Sequence, residues 1–380
     1  MKGFSAQDAE MIYDEVTSHH QDRTTIITQS FSGITSDMRS REETQETETA
    51  LGPAIEPQPK TTSLSSIIVP AYNSVPNCWT EADQVQALTQ AKSFSPDKYL
   101  RGKFLGVGGN STVLKVLRVV DLEVFAGKRS STTGQLRREA TVLQRYRHDH
   151  ILRFVDMYQE GQNRDSALLV TELCDAGTLQ ARINHAPDGI MDHVEILQVI
   201  LQISSALAFL HSQSVYHSDV KPFNILVRQV SPINVVLADL ADLKNEGQSY
   251  YPPRGTPSYW PPQIVRFMMH GGKTDDVWAL GITLLGMMGQ WPRLMNTKEE
   301  LRRYPTTCFN HIRVLRDLNP KHKLISLLCQ MTAYKPSSRA SAETCRATAQ
   351  ELLEDLLVGG EEEAGLGIKS PENFAPISFW

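Results

Sequence analysis

The sequence predicts an α+β protein of two lobes, a small β-rich lobe followed by a larger helical one, with a cleft between them. Three observations predict it. A polar, proline-dotted stretch gives way near Lys98 to apolar runs of strand length. Those runs stop near Gly177. From there apolar residues recur at helical spacing.

The first stretch, residues 1–95, is rich in Ser, Thr, Gln and acidic residues, as in Glu42 to Thr49, with Pro53, Pro57 and Pro59 close together. Few apolar positions are spaced to build a core, so a disordered arm is expected. Three strands are expected next, Phe104 to Gly108, Val113 to Val119 and Leu122 to Lys128. A charged helix from Gly134 to Tyr146 and strands from Ile151 to Gln159 and Ala167 to Leu173 complete the small lobe, 98–174.

The large lobe, 175–358, opens with Ile200, Ile203, Leu207 and Leu210 on one helical stripe. Asp192 and Glu195 cap that helix. Further helices are expected at Lys273 to Gly289, Pro320 to Thr332 and Arg339 to Leu357, and a mobile tail at 359–380.

The 380 residues are 41% hydrophobic and 21% charged, as in a globular protein, and too many for one typical domain. A net charge of −5 argues against a nucleic-acid surface. Cys78, Cys174, Cys308, Cys329 and Cys345 show no C-x-x-C spacing and are expected as reduced thiols. No leader pattern opens the chain, and its longest apolar run, Val277 to Met288, is short for a bilayer. The expected setting is cytoplasmic or nuclear, with no membrane and no nucleic-acid partner.

The chemistry-bearing residues fall in order. Gly106, Gly108 and Gly109 stand between two strands, where backbone N–H groups could approach phosphate oxygens without a side-chain clash. A tight hairpin would use the same residues. Lys128 ends an apolar strand and needs a counter-charge; Glu139, on the following helix, can supply it. Then comes Tyr216-His217-Ser218-Asp219-Val220-Lys221-Pro222-Phe223-Asn224, between a helix and a β-type run, with Asp239 beyond the next strand. Asn224 and Asp239 offer the hard oxygens that Mg²⁺ prefers. Asp219 can accept or orient a hydroxyl proton, and Lys221 can neutralise charge on a moving phosphoryl group.

In this order the motifs resemble the signature set of the eukaryotic protein kinases of serine/threonine type. Gly255-Thr256-Pro257-Ser258-Tyr259-Trp260-Pro261-Pro262-Gln263 resembles the end of an activation segment, and Asp276-Val277-Trp278-Ala279-Leu280-Gly281 the start of the central large-lobe helix. The resemblance covers 98–358. It implies the two-lobed kinase fold, ATP and Mg²⁺ as cofactors, and protein substrates bearing Ser or Thr. It further implies that Lys128, held by Glu139, grips the α- and β-phosphates beneath Gly106 and Gly108. Glu172 and Cys174 would present hinge backbone to adenine behind Thr171. Val113, Ala126 and Leu226 would sandwich the ring, and Thr256 would touch Asp219 and Lys221.

Five positions depart from the family pattern, the mildest being Leu240 in place of an aromatic residue, since it still offers an apolar packing group. Ser218 replaces the arginine that pairs with an activation-segment phosphate, so switching at Ser249, Tyr250 or Ser258 is not expected. Ala241 replaces the glycine after Asp239-Leu240, Gln263 replaces a glutamate that would pair with Arg339, and Ser111 replaces the third loop glycine. Because of them, a pseudokinase acting as a nucleotide-binding scaffold or allosteric regulator stands as the alternative to an enzyme. His148-Asp149-His150 fits a turn better than a metal site, and the pairs Met268-Met269 and Met287-Met288 fit core filling. A regulatory partner could act through the N-terminal arm or through the tail Phe374 to Trp380, which resembles the hydrophobic tail motif of some kinases.

Overall fold

A computed structural model describes residues 98–107, 111–159, 167–248, 250–267, 271–294, 297–364 and 370, of which 359–364 are described by their backbone. The expected arm at 1–95, Gly108, Gly109, Ser249, Met268-Met269 and the tail Phe374 to Trp380 lie outside these residues.

The small lobe is a five-stranded antiparallel sheet in the order β1-β2-β3-β5-β4, made of β1 (Tyr99–Val107), β2 (Ser111–Arg118), β3 (Val124–Ser130), β4 (Phe154–Gln159) and β5 (Ala167–Thr171). Alternation sorts its side chains. One face carries Leu114, Val116, Phe125, Leu168 and Val170, which bury one another with Tyr99. Gly127 sits in that layer because a Cβ there would lie 2.8 Å from Val116 Cγ1. The opposite face presents two cross-strand rows, Val113–Lys128–Leu169 and Lys115–Ala126–Thr171. Helix α1 (Thr133–Arg145) covers part of this second face with Leu136, Glu139, Ala140 and Leu143, spaced as one helical stripe.

The large lobe is helical, and each helix buries the face its spacing dictates. It comprises α2 (Leu179–Asn184), α3 (His193–Ser212), α4 (Pro262–Phe267), α5 (Lys273–Met287), α6 (Lys298–Leu318), α7 (Lys323–Met331) and α8 (Ala342–Ala364). Asp192 caps α3 as expected, accepting the N–H groups of Val194 and Glu195. Helix α5 shows no stripe because protein surrounds it: every residue from Asp275 to Met287 is buried. Met287 and Met288 fill the core. Two short ribbons, β6 (Val215–Tyr216) with β9 (Lys244–Asn245) and β7 (Ile225–Gln229) with β8 (Asn234–Leu237), carry the loops that face the small lobe.

Some expected boundaries move. The strand read from Ile151 begins only at Phe154, because Ile151 bridges Leu237 and Leu152 donates its N–H to the Leu237 carbonyl, tying both to the large lobe. Helix α8 runs past Val358, where the tail was expected to start. Helices α2, α4 and α6 were not anticipated. Pro305 inside α6 masks a readable pattern of a Thr297 cap followed by Leu301, Tyr304, Cys308, Ile312 and Leu315. Among the described residues only α3 is long and apolar enough to cross a membrane, and it lies against α8 and β8.

Helix α5 meets the end of α7 so closely that a Cβ on Gly281 would lie 2.6 Å from Thr332 Cγ2 and 3.1 Å from Met331 Cβ. Gly281→Ala should therefore cost about 1–3 kcal/mol through overpacking. Urea unfolding would read this as a lower midpoint, and an unchanged midpoint would contradict the close approach.

Candidate active site

The site lies where the second face of the small sheet meets the large-lobe loops. Cross-strand pairing puts Val113 and Lys128 side by side on that face. Lys128 is followed by two further strand residues rather than ending the strand. Its Nζ lies 2.7 and 3.0 Å from the two carboxylate oxygens of Glu139 and 3.5 Å from Asp239 Oδ1. Burial pushes the Lys128 pKa down, but the charges of Glu139 and Asp239 outweigh it and leave the ammonium above its ordinary value. The pair is thus a partly buried ion pair, not a surface one, and it ties β3 to α1. Helix α1 also packs on the turn Leu240–Asp242, which follows Asp239.

Across the cleft, the loop after β6 folds around Asp219. Its Oδ2 accepts from Lys221 Nζ at 2.7 Å and Asn224 Nδ2 at 3.1 Å. Its Oδ1 accepts from the Thr256 N–H at 2.9 Å and the Thr256 hydroxyl at 3.0 Å. Lys221 also reaches Thr256 Oγ1 at 2.6 Å. Asp219, Lys221, Asn224 and Thr256 form one network, as the resemblance implies. Gly255 is required beside it: φ is +103°, and a Cβ would lie 2.8 Å from the Ser218 carbonyl.

Asn224 spends its amide nitrogen on Asp219, which leaves Oδ1 as an acceptor with no partner among the described residues. Asp239, half exposed, offers its carboxylate nearby in sequence terms across the β7–β8 ribbon. Two hard oxygens and no competing soft ligand suit Mg²⁺.

The residues expected around adenine take these positions. Ala126 is buried, Val113 and Leu226 are half-buried, and Thr171 is buried at the end of β5. The Cys174 N–H has no partner among the described residues, which suits a hinge donor; burial raises its thiol to about 12. The expectation for Glu172 concerns its backbone, and its side chain has partners of its own. Its carboxylate takes a two-pronged contact from Arg228 at 2.7 and 2.8 Å and accepts the Arg153 N–H. Gly106 lies in β1, with open space around its Cα. Gly108 cannot be placed, since it lies outside the described residues.

The departures have physical answers. Ala241 sits in a helical turn, and the left-handed backbone falls instead on Asp239 at φ +62° and Ser218 at φ +69°. No glycine is required at 241 in this conformation. Lys244 Nζ lies 4.9 Å from the centroid of the Tyr250 ring, a cation over an aromatic face. Burial lowers the Lys244 pKa, with Asp242 opposing and Arg254 assisting. His148 and His150 bond Ser205 and the Val235 carbonyl, as a packed turn would.

Sequence reasoning gave no role to three residues that hold the site. Asp276, buried in α5, accepts the N–H groups of His217 and Ser218 and the His211 ring, each at 2.8 Å. His217 in turn accepts the Asp219 N–H and donates Nε2–H to the Ala238 carbonyl. A charge entering an otherwise apolar helix was the readable signal for Asp276. Arg228, a lone charge in an apolar strand, was the signal for the hinge contact.

Gln263 does more than replace a carboxylate. Its Oε1 accepts from Arg339 at 3.3 Å, while its Nε2 donates to the buried Asp275 at 2.6 Å. Arg339 keeps the carbonyls of Thr274 and Ala333 and lies over the Trp278 ring. Burial brings its pKa down to about 10, opposed by Asp275. Gln263→Glu should lower stability by about 1–2 kcal/mol at neutral pH, because it restores an ion pair but sets two carboxylates together and loses a donor. Denaturant titration would decide it, a more stable variant being the contrary result.

The protein kinase domain matches residues 99–350. The "Probable serine/threonine-protein kinase fhkD" of Dictyostelium discoideum is 31% identical over 51% of this chain and 29% of its own length. The calcium/calmodulin-dependent protein kinase type I of Schizosaccharomyces pombe is 29% identical over 52% of this chain and 61% of its own. This chain spans 29% to 61% of the length of the first five such relatives. A crystal structure of Rad53 1-466 with AMP-PNP superposes with a TM-score of 0.54 at 23% identity, covering 66% of this chain and 64% of that one, which supports the fold. With the domain matched over most of the described residues and its site geometry assembled, this chain belongs to the protein kinase domain family.

Proposed function

We propose that this chain is an ATP-dependent serine/threonine protein kinase. The observation that carries the reading is the Asp219 network, a carboxylate fixed by Lys221, Asn224 and Thr256 opposite an ion-paired Lys128. Those four contacts fix the carboxylate's rotamer before substrate arrives, so little reorganisation remains for the reaction itself. A protein hydroxyl oxygen forms the new bond to the γ-phosphorus as the bond to the β–γ bridging oxygen breaks. The hydroxyl proton passes to Asp219, and ADP leaves. Lys221 offsets charge on the transferring group, and Lys128 orients the other phosphates. Asn224 and Asp239 would hold Mg²⁺, which neutralises phosphate charge when bound. The Thr256 hydroxyl lies between Asp219 and Lys221, as the resemblance to kinases of serine/threonine type implies, and this supports serine and threonine substrates.

The scaffold alternative draws no support from the site, where every charged group named above keeps its partner. Asp219→Asn should lower kcat by about 10²–10⁴-fold in Mg²⁺-dependent transfer of labelled γ-phosphate to a generic protein substrate. Equal transfer by both proteins would overturn the assignment of Asp219. Lys128→Met should remove both transfer and the ion pair with Glu139, and retained activity would overturn the role of Lys128.

Activation without a segment phosphate belongs to the same proposal. Ser218 supplies no guanidinium, its hydroxyl instead meeting the Asp242 carbonyl at 3.3 Å. The Tyr250 hydroxyl accepts the Asn245 N–H and donates to Gln248, which holds the segment from within. Phosphatase treatment should leave kcat within about twofold, whereas a loss of tenfold or more would show that a phosphate is needed. Regulation by a partner, through residues 1–95 or the tail Phe374 to Trp380, is likewise proposed. Deleting each segment in turn and measuring activity with and without cell extract tests it.

A further inference from the structure

Lys115 is buried, yet it is a lysine with no place in the site described so far. Its position follows from strand pairing. Val113 and Lys128 share one cross-strand row, and Lys128 faces the cleft, where it meets Glu139 and Asp239. The next row on the same face is Lys115–Ala126–Thr171. Lys115 therefore belongs to the roof of the same cleft, beside Ala126 and in line with Thr171, with its stem over the slot. Its side chain is only 10% exposed, and its Nζ ends 2.7 Å from Asp175 Oδ1. Asp175 directly follows Cys174, in the segment that joins β5 to α2, and remains 66% exposed. One end of the pair thus belongs to the small sheet and the other to the connection into the large lobe.

We propose that Lys115 and Asp175 form a latch across the outer edge of the nucleotide slot, which slows nucleotide release. This inference rests on the reading of the cleft as an ATP site. A nucleotide seated under Val113 and Ala126 leaves past this edge, and the lobes part only when the ion pair breaks. Lys115 is a positioning residue: it acts on how long nucleotide stays, not on phosphoryl transfer. Because Asp175 faces solvent, added salt weakens the pair, so release from the native protein should quicken as salt rises.

The test uses the full chain loaded with a fluorescent ATP analogue and Mg²⁺, chased with excess unlabelled ATP in a stopped-flow instrument. Lys115→Met and Asp175→Asn should each release the analogue about two- to fivefold faster, and the release from each should lose its dependence on salt. The double variant Lys115→Asp/Asp175→Lys keeps the combined side-chain length and should restore slow release and its salt dependence. Asp175→Asn alters an exposed side chain, so it reports even if Lys115→Met folds poorly; melting without nucleotide shows which variants are intact. Analogue release at the native rate from folded Asp175→Asn overturns the latch alone. A native protein that binds no analogue overturns the ATP reading, and the latch with it.

Discussion

The loop that carries Asp219 depends on one buried carboxylate. Asp276, at the start of the buried helix α5, is 1% exposed and takes hydrogen bonds from His217 N–H, Ser218 N–H and the His211 ring. Burial alone would push its pKa up, but the hydrogen bond and charge of His211, with His217, bring it below the ordinary carboxylate range. An ionised group in the dry interior is tolerable only when its acceptors are filled, and here the loop backbone fills them. The same bonds hold Ser218 in a left-handed conformation that costs a non-glycine residue about 1 kcal/mol or more. That turn sets the direction in which Asp219 leaves the loop.

Around this anchor, polar groups reinforce the link that hydrophobic packing makes between the lobes. The small lobe has its own apolar layer on one sheet face, while the larger core runs from α1 through the helices of the large lobe. Leu169 of the small sheet belongs to that larger core, and charged pairs add to this link: Lys128 to Glu139 and Asp239, Arg228 to Glu172, and Lys115 to Asp175. Such contacts depend on distance and direction more than packed methyl groups do, so they fix how the elements they join sit relative to one another.

Two of the departures from the family pattern are local substitutions with local compensation. Gln263 bridges Arg339 and Asp275, a task that a glutamate could not perform, since it has no proton to give Asp275 at neutral pH. Ala241 lies in an ordinary helical turn because Asp239 carries the unusual backbone angle. In both cases the residue departs from the family motif and finds partners or a backbone angle suited to it.

Much of this was legible in the chain itself. Strand alternation and helical stripes depend on residues near in sequence, so the β-rich lobe, α1, α3 and α5 could be read directly. The spacing of Asp219, Lys221 and Asn224 could be read for the same reason: they share one loop. Helix α6 was missed because Pro305 masks its stripe, and Ile151 changed partners because Leu237, 86 positions later, competes for it. The sequence by itself determined which residues could carry charge, bind metal or enter a core. Tertiary structure alone decided which charges meet. Lys115 reaches Asp175 and Arg228 reaches Glu172 through pairings of sheet rows and loops that lie far apart along the chain, and no local pattern encodes a distance in space.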